Sequence, residues 1–232
     1  MVGEQERRGG SFFGRRKGKA LRPGQRRALE TILPALRLDL SAPAPDDLAV
    51  LFPLPVSIIN LEIGFGGGEH LLDAARAHPG AGFIGVEPFE NGMAKAAAAI
   101  ARDAIRNVRL FDEDAALLLD WLPAASLARV DLLFPDPWPK KRHWKRRFVS
   151  PANLERIARC LKAGGTFRFA TDVEDYAEWT REAVARHGGL GPDHGAGEGW
   201  SEPWEGWPGT RYEAKGFGAG RSTMFLTFRK PD

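Results

Sequence analysis

Acidic side chains and a glycine-rich turn lie where three consecutive apolar segments of this chain end. Glu62 belongs to LEIGFGGGEHL, Glu87 to GVEP and Asp114 to FDEDAA. Gly64 and Gly66 allow the backbone to turn tightly and to approach a ligand closely. Carboxylates accept hydrogen bonds from ribose hydroxyls and from amines. The pattern therefore indicates a ligand that contains a nucleoside.

The glycine turn also distinguishes between two kinds of nucleotide ligand. The dinucleotide fingerprint G-x-G-x-x-G requires glycine in its sixth place, and counting from Gly64 that place holds Glu69. A negative side chain there disfavours the diphosphate of NAD. It favours S-adenosylmethionine, which has an adenosine, a ribose and a cationic tail. We expect Glu62 to contact the ammonium group of this cofactor, Glu87 its ribose diol and Asp114 its adenine amine.

A second group of reactive residues lies in the loop LLFPDPWPKKRHWKRRF, after the fourth apolar segment. Prolines at 135, 137 and 139 restrict the backbone, so that Asp136 and Trp138 are presented in a fixed way. Stacking of a base on an aromatic ring such as Trp138 contributes about 1–3 kcal/mol. The basic residues that follow could contact phosphates. An aromatic beside a cationic run indicates RNA binding, and a solvated surface loop is the alternative.

From residue 56 onward, apolar segments alternate with amphipathic stretches, which is typical of strands joined by helical crossovers. Strands are expected near 56–64, 82–87, 108–112, 130–136 and 166–172, with a last one in STMFLTFRK; helices are expected near 67–78, 91–104, 114–121, 151–162 and 174–187, and an earlier one at 25–38. We predict an α/β fold: a Rossmann-like, open, mostly parallel sheet of about seven strands, with an antiparallel C-terminal strand and helices on both faces. In such a sheet the acids that follow the strands lie at one edge.

Composition narrows the class of protein and of partner. The net charge is only +3, yet residues 7–27 and 140–147 are basic stretches without an acid, which favours a polyanionic partner. No apolar stretch is long enough to span a bilayer, and the start of the chain lacks the apolar core of a signal peptide. Cys160 is the single cysteine, so an intramolecular disulfide and a cysteine-rich metal site are excluded. We expect a cytoplasmic protein with no metal site, no membrane association and no obligatory protein partner.

Several of these motifs together resemble the bacterial tRNA (guanine-N7-)-methyltransferases. The resemblance runs from SFFGRR to the last strand and is most specific in LEIGFGGGEHL, FPDPWPKKRHWKRRF, FATDVEDYAEW and GTRYEAKGFGAGR. It implies a product, 7-methylguanosine in the variable loop of tRNA, expected at position 46. Composition and apolar spacing indicate a flexible basic arm over 1–20 and an N-terminal helix and connector over 21–55. The resemblance implies an S-adenosylmethionine-dependent methyltransferase domain over 56–232.

The resemblance implies a role for individual residues as well. Asp136 is expected to act in catalysis and to contact the cofactor, together with Glu62, Glu87 and Asp114. The implied substrate-binding residues are Lys140, Asp172, Thr210, Arg211, Tyr212 and Glu213. The implied RNA-binding residues are Arg142, His143, Trp144, Lys145, Arg146 and Arg147. Trp144 departs from the family, because relatives commonly carry a small polar residue there, and this puts the RNA contact of that position in doubt.

The chemistry of guanine agrees with these residues. N7 is an exposed acceptor without a proton, so its methylation needs no strong general base. A carboxylate at Asp136 could favour the transfer of positive charge from sulfur to the purine. Asp172 or Glu213 could accept hydrogen bonds from the two adjacent donors on the Watson–Crick edge of guanine.

Three alternatives to this function remain open at the level of sequence. The first is an S-adenosylmethionine-dependent N-methyltransferase that acts on an exocyclic amine of nucleic acid or protein. Such sites often have an acid or Asn, two prolines and then an aromatic, whereas Trp138 here comes one place earlier. The others are a nicotinamide oxidoreductase, which Glu69 disfavours, and a non-catalytic RNA-binding module, which the full set of strand-end acids disfavours.

Overall fold

The computed structural model describes residues 13–193, 202–210, 213, 218 and 220–232, and contains one seven-stranded sheet. Its strands are β1 (Ile58–Ile63), β2 (Ala81–Val86), β3 (Val108–Phe111), β4 (Leu127–Leu133), β5 (Leu161–Thr171), β6 (Gly191–Pro192) and β7 (Met224–Arg229). The strand order is β3-β2-β1-β4-β5-β7-β6. The first five strands are parallel, and β7 runs antiparallel to both β5 and β6. The predicted fold class is confirmed.

Helices cover both faces of the sheet and are amphipathic for that reason. They are α1 (Pro23–Thr31), α2 (Leu33–Leu36), α3 (Glu69–Ala77), α4 (Glu90–Arg102), α5 (Ala115–Trp121), α6 (Pro151–Cys160) and α7 (Glu174–His187). Helices α1, α3 and α4 pack on one face of β1 to β3, whereas α5, α6 and α7 pack on the other face of the sheet. Every residue of β2 is buried, as expected for a strand covered on both sides.

The strand order reverses beside β1, and this reversal creates the cleft of the fold. The chain moves outward from β1 to β2 and β3, and then returns to place β4 on the other side of β1. The loops that follow β1 and β4 therefore separate at their carboxyl ends, where ligands bind in sheets of this kind. Gly92 in α4 lies so close to the loop after β1 that a Cβ atom there would be 2.2 Å from the carbonyl oxygen of Gly66.

The N-terminal part of the chain differs from the expectation in two respects. The predicted helix over 25–38 is wrong as a single element, because it is interrupted at Ile32 and resumes as α2. Pro34 explains this, since proline lacks an N–H group and its ring clashes with the carbonyl group four residues earlier. The described part of the predicted arm is held to α4: the carbonyl oxygen of Arg16 accepts from the Glu90 amide at 2.9 Å, and Asn91 bonds to the backbone of Gly18 and Lys19.

Two smaller findings complete the comparison with the expected elements. β5 begins at Leu161, earlier than predicted, and the short strand β6 was not predicted. Across the described ranges, no helix combines the length and the apolar character that a bilayer crossing needs.

Candidate active site

A cavity of about 620 Å³ opens at the carboxyl ends of the strands, between the loops after β1 and β4. Of the predicted cofactor-binding residues, Gly64, Gly66, Glu87, Asp114 and Asp136 line it. This volume is within the range of small-molecule sites, about 300–1,000 Å³. A larger recess of about 780 Å³ lies beneath α2 and contains none of these five residues, so the chemistry indicates the first cavity.

Glu87 connects β2 to the glycine turn. One carboxylate oxygen accepts a hydrogen bond from the Gly66 amide at 2.7 Å, and the other accepts from the Phe89 amide at 2.9 Å. Burial is the main cause that raises the pKa of Glu87 to about 7, and the charges of Asp136 and Glu62 add to this effect, whereas the two amide bonds oppose it. Glu87 is therefore a buried carboxyl group at the cavity wall whose charge changes near neutral pH.

Asp114 and Glu62 occupy different kinds of position. Asp114 caps α5 by accepting from the Ala116 amide at 2.9 Å, and its side chain lines the cavity. Glu62 is not among the residues that line the cavity; it is 4% exposed and lies 2.7 Å from Nδ1 of His70. The contact of Glu62 with the cofactor ammonium stays a prediction.

The loop after β4 has an unusual backbone. Phe134 and Trp138 have positive φ angles of 48° and 45°, a conformation that side-chain-bearing residues rarely adopt. Such strain persists where the surrounding structure enforces it, and it is frequent at functional sites. Here the Phe134 amide donates to the carbonyl oxygen of Ala170 at 2.8 Å, and Nε of Arg147 donates to the carbonyl oxygen of Pro137 at 2.9 Å. Asp136, exposed between these two anchors, faces the cavity.

The basic residues after this loop form a 3₁₀ helix, Lys141–Arg146, at the rim of the cavity. Lys140, Lys141, Arg142 and Lys145 are exposed, as expected for phosphate contacts. Arg146 instead lies over the Trp138 ring, 4.9 Å from its centroid, and His143 packs edge-on to the same ring at 5.8 Å. Burial and the surrounding cations lower the pKa of His143, which favours a neutral imidazole in this loop.

Arg147 and Trp144, two of the predicted RNA-binding residues, pack against α7. The Arg147 side chain is fully buried: its guanidinium ion-pairs with Asp175 and lies 4.8 to 5.1 Å from the ring centroids of Trp144, Tyr176 and Trp179. The Trp144 ring packs on Trp179 at 5.3 Å. Both side chains fill the space between the loop and α7, and their contact with RNA stays a prediction. These side chains hold the loop in place.

Apart from Lys140, which precedes the 3₁₀ helix, the predicted substrate-binding residues lie on two segments. Asp172 follows β5 and accepts from Nε of Arg221 at 2.8 Å; the N-cap of α7 is Val173, so the alternative that Asp172 caps this helix is wrong. Glu213 is buried and accepts from the Trp207 indole at 2.8 Å and from the Thr210 amide at 3.3 Å. Arg211 and Tyr212 lie outside the described residues. The roles of all these residues in guanine binding stay predictions.

Comparison with known proteins assigns the chain to a family. The family model described as "Putative methyltransferase" matches residues 57–232. Proteins named tRNA (guanine-N(7)-)-methyltransferase from Chelativorans sp. (strain BNC1) and Mesorhizobium japonicum are 57% and 58% identical, over 96% and 94% of this chain and the same shares of their own lengths. The chain belongs to the tRNA (guanine-N7-)-methyltransferase family. The resemblance stated from the motifs is thereby confirmed.

Similar solved structures support the fold alone. The 16S rRNA methyltransferase KamB is 20% identical, with a TM-score of 0.57 over 76% of this chain and 89% of its own. The aminoglycoside resistance methyltransferase NpmB1 is 19% identical, with a TM-score of 0.51 over 75% of this chain and 88% of its own.

The carboxylate of Glu69 is paired with a lysine in the structure. Glu69 was expected to repel a diphosphate, but its carboxylate is 2.5 Å from Nζ of Lys95, so its charge is compensated. The exclusion of NAD therefore depends on the family membership. In the part of the chain that the structure describes, no group of three or more His, Cys, Asp or Glu side chains is arranged to hold a metal ion.

Sequence reasoning missed several residues of the site. Phe13 and Arg15 line the cavity, although they were placed in an arm, and Phe13 lies under Arg146 at 5.4 Å. His70 was assigned to a surface or helix end; it is near the start of α3, but it is buried against Glu62 and Trp207. The position of His70 directly after the glycine turn was the available signal. Cys160 is buried as a small apolar residue, as predicted.

Proposed function

We propose that this chain transfers the methyl group of S-adenosylmethionine to N7 of a guanosine in tRNA, in the variable loop at position 46. One observation carries the proposal: the exposed cationic 3₁₀ helix stands at the rim of a 620 Å³ cavity that is lined by Glu87, Asp114 and Asp136. The cavity suits a nucleoside ligand, and the rim suits a polyanion. The curated relatives, at 57% and 58% identity, carry the name of this activity.

The residues at the cofactor end fit S-adenosylmethionine. Glu87 can accept from ribose hydroxyls, and Asp114 can accept from the adenine amine. The Gly66 backbone, with φ of 58°, brings the turn against the cavity without a side chain in the way. When bound, S-adenosylmethionine supplies an electrophilic methyl carbon. Glu62, near the carboxyl end of β1, would attract the ammonium group.

The substrate end needs positioning more than proton transfer. Guanine N7 offers a lone pair without a proton, so the chain has only to align it with the methyl carbon. Such alignment can contribute about 7–11 kcal/mol in favourable cases. Transfer of the methyl group to N7 would break its bond to sulfur and leave the positive charge on the purine. Asp136, beside this path, favours the charge that appears on the base.

The tRNA backbone would be held by the cationic residues around the cavity. Lys140, Lys141, Arg142 and Lys145 are exposed there, and Arg15 adds a further positive charge at the cavity. Phosphate contacts of this kind fix orientation, and the base is read separately. We expect the methylation to take place in the cytoplasm and to need no protein partner.

The decisive experiment is incubation of the purified protein with S-adenosylmethionine and tRNA that lacks the modification. Mass spectrometry of nuclease fragments should locate one new methyl group on a guanine of the variable loop, in the form of 7-methylguanosine. Methylation of an exocyclic amine, or no methylation despite cofactor binding, would contradict the proposal.

A variant tests the assignment of Asp136. Asp136→Ala should abolish turnover and weaken cofactor binding, because the carboxylate contacts both ends of the reaction. The matched control is Asp73→Ala, which removes an exposed carboxylate of α3 that pairs with Arg76. Unchanged turnover in Asp136→Ala would refute the role of this carboxylate.

A further inference from the structure

A continuous chain of side-chain contacts connects the cofactor side of the sheet to the loop that carries Thr210 and Glu213. Glu62 on β1 is 2.7 Å from Nδ1 of His70. The His70 ring lies on the Trp207 indole, with ring centroids 5.1 Å apart and a tilt of 40°. Trp207 donates from Nε1 to the Glu213 carboxylate at 2.8 Å. His70 uses Nδ1 for the contact with Glu62 and its ring for the contact with Trp207, and Trp207 uses its indole N–H for the contact with Glu213.

His70 is at the centre of this chain and is nearly enclosed. Its side chain is 10% exposed, and that of Glu62 is 5% exposed. Burial acts to lower the pKa of His70, but the charge and hydrogen bond of Glu62 outweigh it, so the pKa is raised. The imidazole thus has its Nδ1 atom toward Glu62 and its ring toward Trp207.

The loop with Thr210 depends on Trp207 for its position. Trp207 packs on Phe225 of β7 at 5.3 Å and on Trp204 at 5.5 Å, and Trp204 donates to Oγ1 of Thr227 at 2.8 Å. Glu213 in turn closes a turn with Thr210: its carboxylate accepts from the Thr210 amide, and its own amide donates to Oγ1 of Thr210 at 3.1 Å. Movement of the Trp207 ring would therefore move both predicted guanine contacts.

We propose that His70 is a positioning residue. Its single imidazole ring holds both the Glu62 carboxylate, which is predicted to contact the cofactor, and the loop that carries Thr210 and Glu213. The inference depends on the proposed function, because it assigns the two sides of His70 to the two substrates. The Nδ1–H side fixes the carboxylate that faces the ammonium group of the cofactor. The ring face fixes Trp207, and through it Thr210 and Glu213.

Two substitutions separate the two sides of His70. His70→Asn places an amide donor near the position of Nδ1, so it keeps the hydrogen bond to Glu62 but removes the ring under Trp207. His70→Phe keeps a ring under Trp207 but leaves Glu62 buried without its donor, and a buried carboxyl group in that situation takes up a proton. His78→Asn, at the exposed C-terminal end of the same helix, is the control.

We expect a crossed pattern in two measurements. For His70→Asn, the Kd for S-adenosylhomocysteine by calorimetry should stay within about threefold of wild type, whereas the KM for tRNA should rise about fivefold to tenfold, the size of a lost aromatic contact. For His70→Phe, the Kd should rise about tenfold or more, as for a buried partner left unpaired, with a smaller change in the KM for tRNA. A residue that only supports the fold would change both constants together.

A second variant keeps the test valid if a His70 variant does not fold. Trp207→Phe preserves a ring in the cluster but removes the donor to Glu213, so it should reproduce the raised KM for tRNA with an unchanged Kd for S-adenosylhomocysteine. In the double variant His70→Asn with Trp207→Phe, the KM for tRNA should rise by no more than about the larger of the two single effects, because both substitutions break the same chain of contacts.

The outcomes distinguish this inference from the proposed function. Equal changes of the two constants in each His70 variant, or additive effects in the double variant, would overturn the positioning role while wild-type methylation of tRNA stands. A wild-type protein that binds no S-adenosylhomocysteine would overturn the proposed function, and this inference with it.

Discussion

Substitution of Arg147 by lysine tests whether this residue holds the loop or contacts RNA. The guanidinium donates to the Pro137 carbonyl oxygen at 2.9 Å, pairs with Asp175 and lies between three aromatic rings, with no exposed side-chain surface. Lysine keeps the charge but has a single ammonium group, which cannot make both polar contacts and stack on flat rings at the same time.

The expected loss of stability follows from these contacts. A hydrogen bond to a charged group contributes about 1.5–3 kcal/mol, and a desolvated cation–π contact contributes about 2 kcal/mol or more, of which lysine retains a part. Asp175 is half exposed and regains water, so its loss of a partner adds little. We expect the free energy of unfolding to fall by about 2–4 kcal/mol, and for a chain of this length Tm to fall by about 5–15 °C.

Thermal unfolding and steady-state kinetics together measure this prediction. Arg142→Lys is the matched control, because Arg142 is in the same basic 3₁₀ helix but is exposed, and its Tm should stay within about 1 °C of wild type. The kcat of Arg147→Lys should also fall, since the Pro137 anchor lies directly beside Asp136. If Arg147→Lys leaves Tm unchanged and raises only the KM for tRNA, then Arg147 contacts the phosphate backbone and the assignment from burial is wrong.

Three further predictions concern the cofactor pocket and the RNA contact. The pKa of Glu87 is raised to about 7, and its ionised carboxylate is the better acceptor for ribose hydroxyls. The affinity for S-adenosylhomocysteine, measured by calorimetry, should therefore rise about tenfold from pH 6 to pH 8. For Glu87→Gln, the affinity should not change with pH over this range. Gly92→Ala should weaken the same binding about tenfold or more, because its Cβ would meet the Gly66 carbonyl oxygen at 2.2 Å. The control Gly24→Ala should change the binding little, because nothing lies within 4 Å of a Cβ atom there. Equal effects of the two substitutions would contradict this reasoning. Replacing Lys141 and Arg142 by alanine should weaken tRNA binding and reduce the slope of log Kd against log salt by about one to two. The affinity for S-adenosylhomocysteine should not change. An unchanged slope would mean that tRNA binds elsewhere on the protein.

The local patterns of the sequence were sufficient for the fold and for the placement of three acidic residues at one cavity. Apolar segments that alternate with amphipathic stretches determine a parallel sheet, and a parallel sheet brings every carboxyl strand end to one edge. Glu87, Asp114 and Asp136 therefore line one cavity, as the order of elements predicts. Pro34 could also have been used to divide the first helix, since its effect on the backbone is local.

Only the tertiary structure decided which of two chemically equal side chains is buried. Arg142 and Arg147 stand five positions apart in one basic run, yet one is exposed and the other is enclosed by aromatic rings, two of them from α7. Likewise, His70 acquires its partners from β1 and from a loop near the end of the chain. Burial and pairing depend on what the fold brings from distant segments, and spacing along the chain carries no record of those distances.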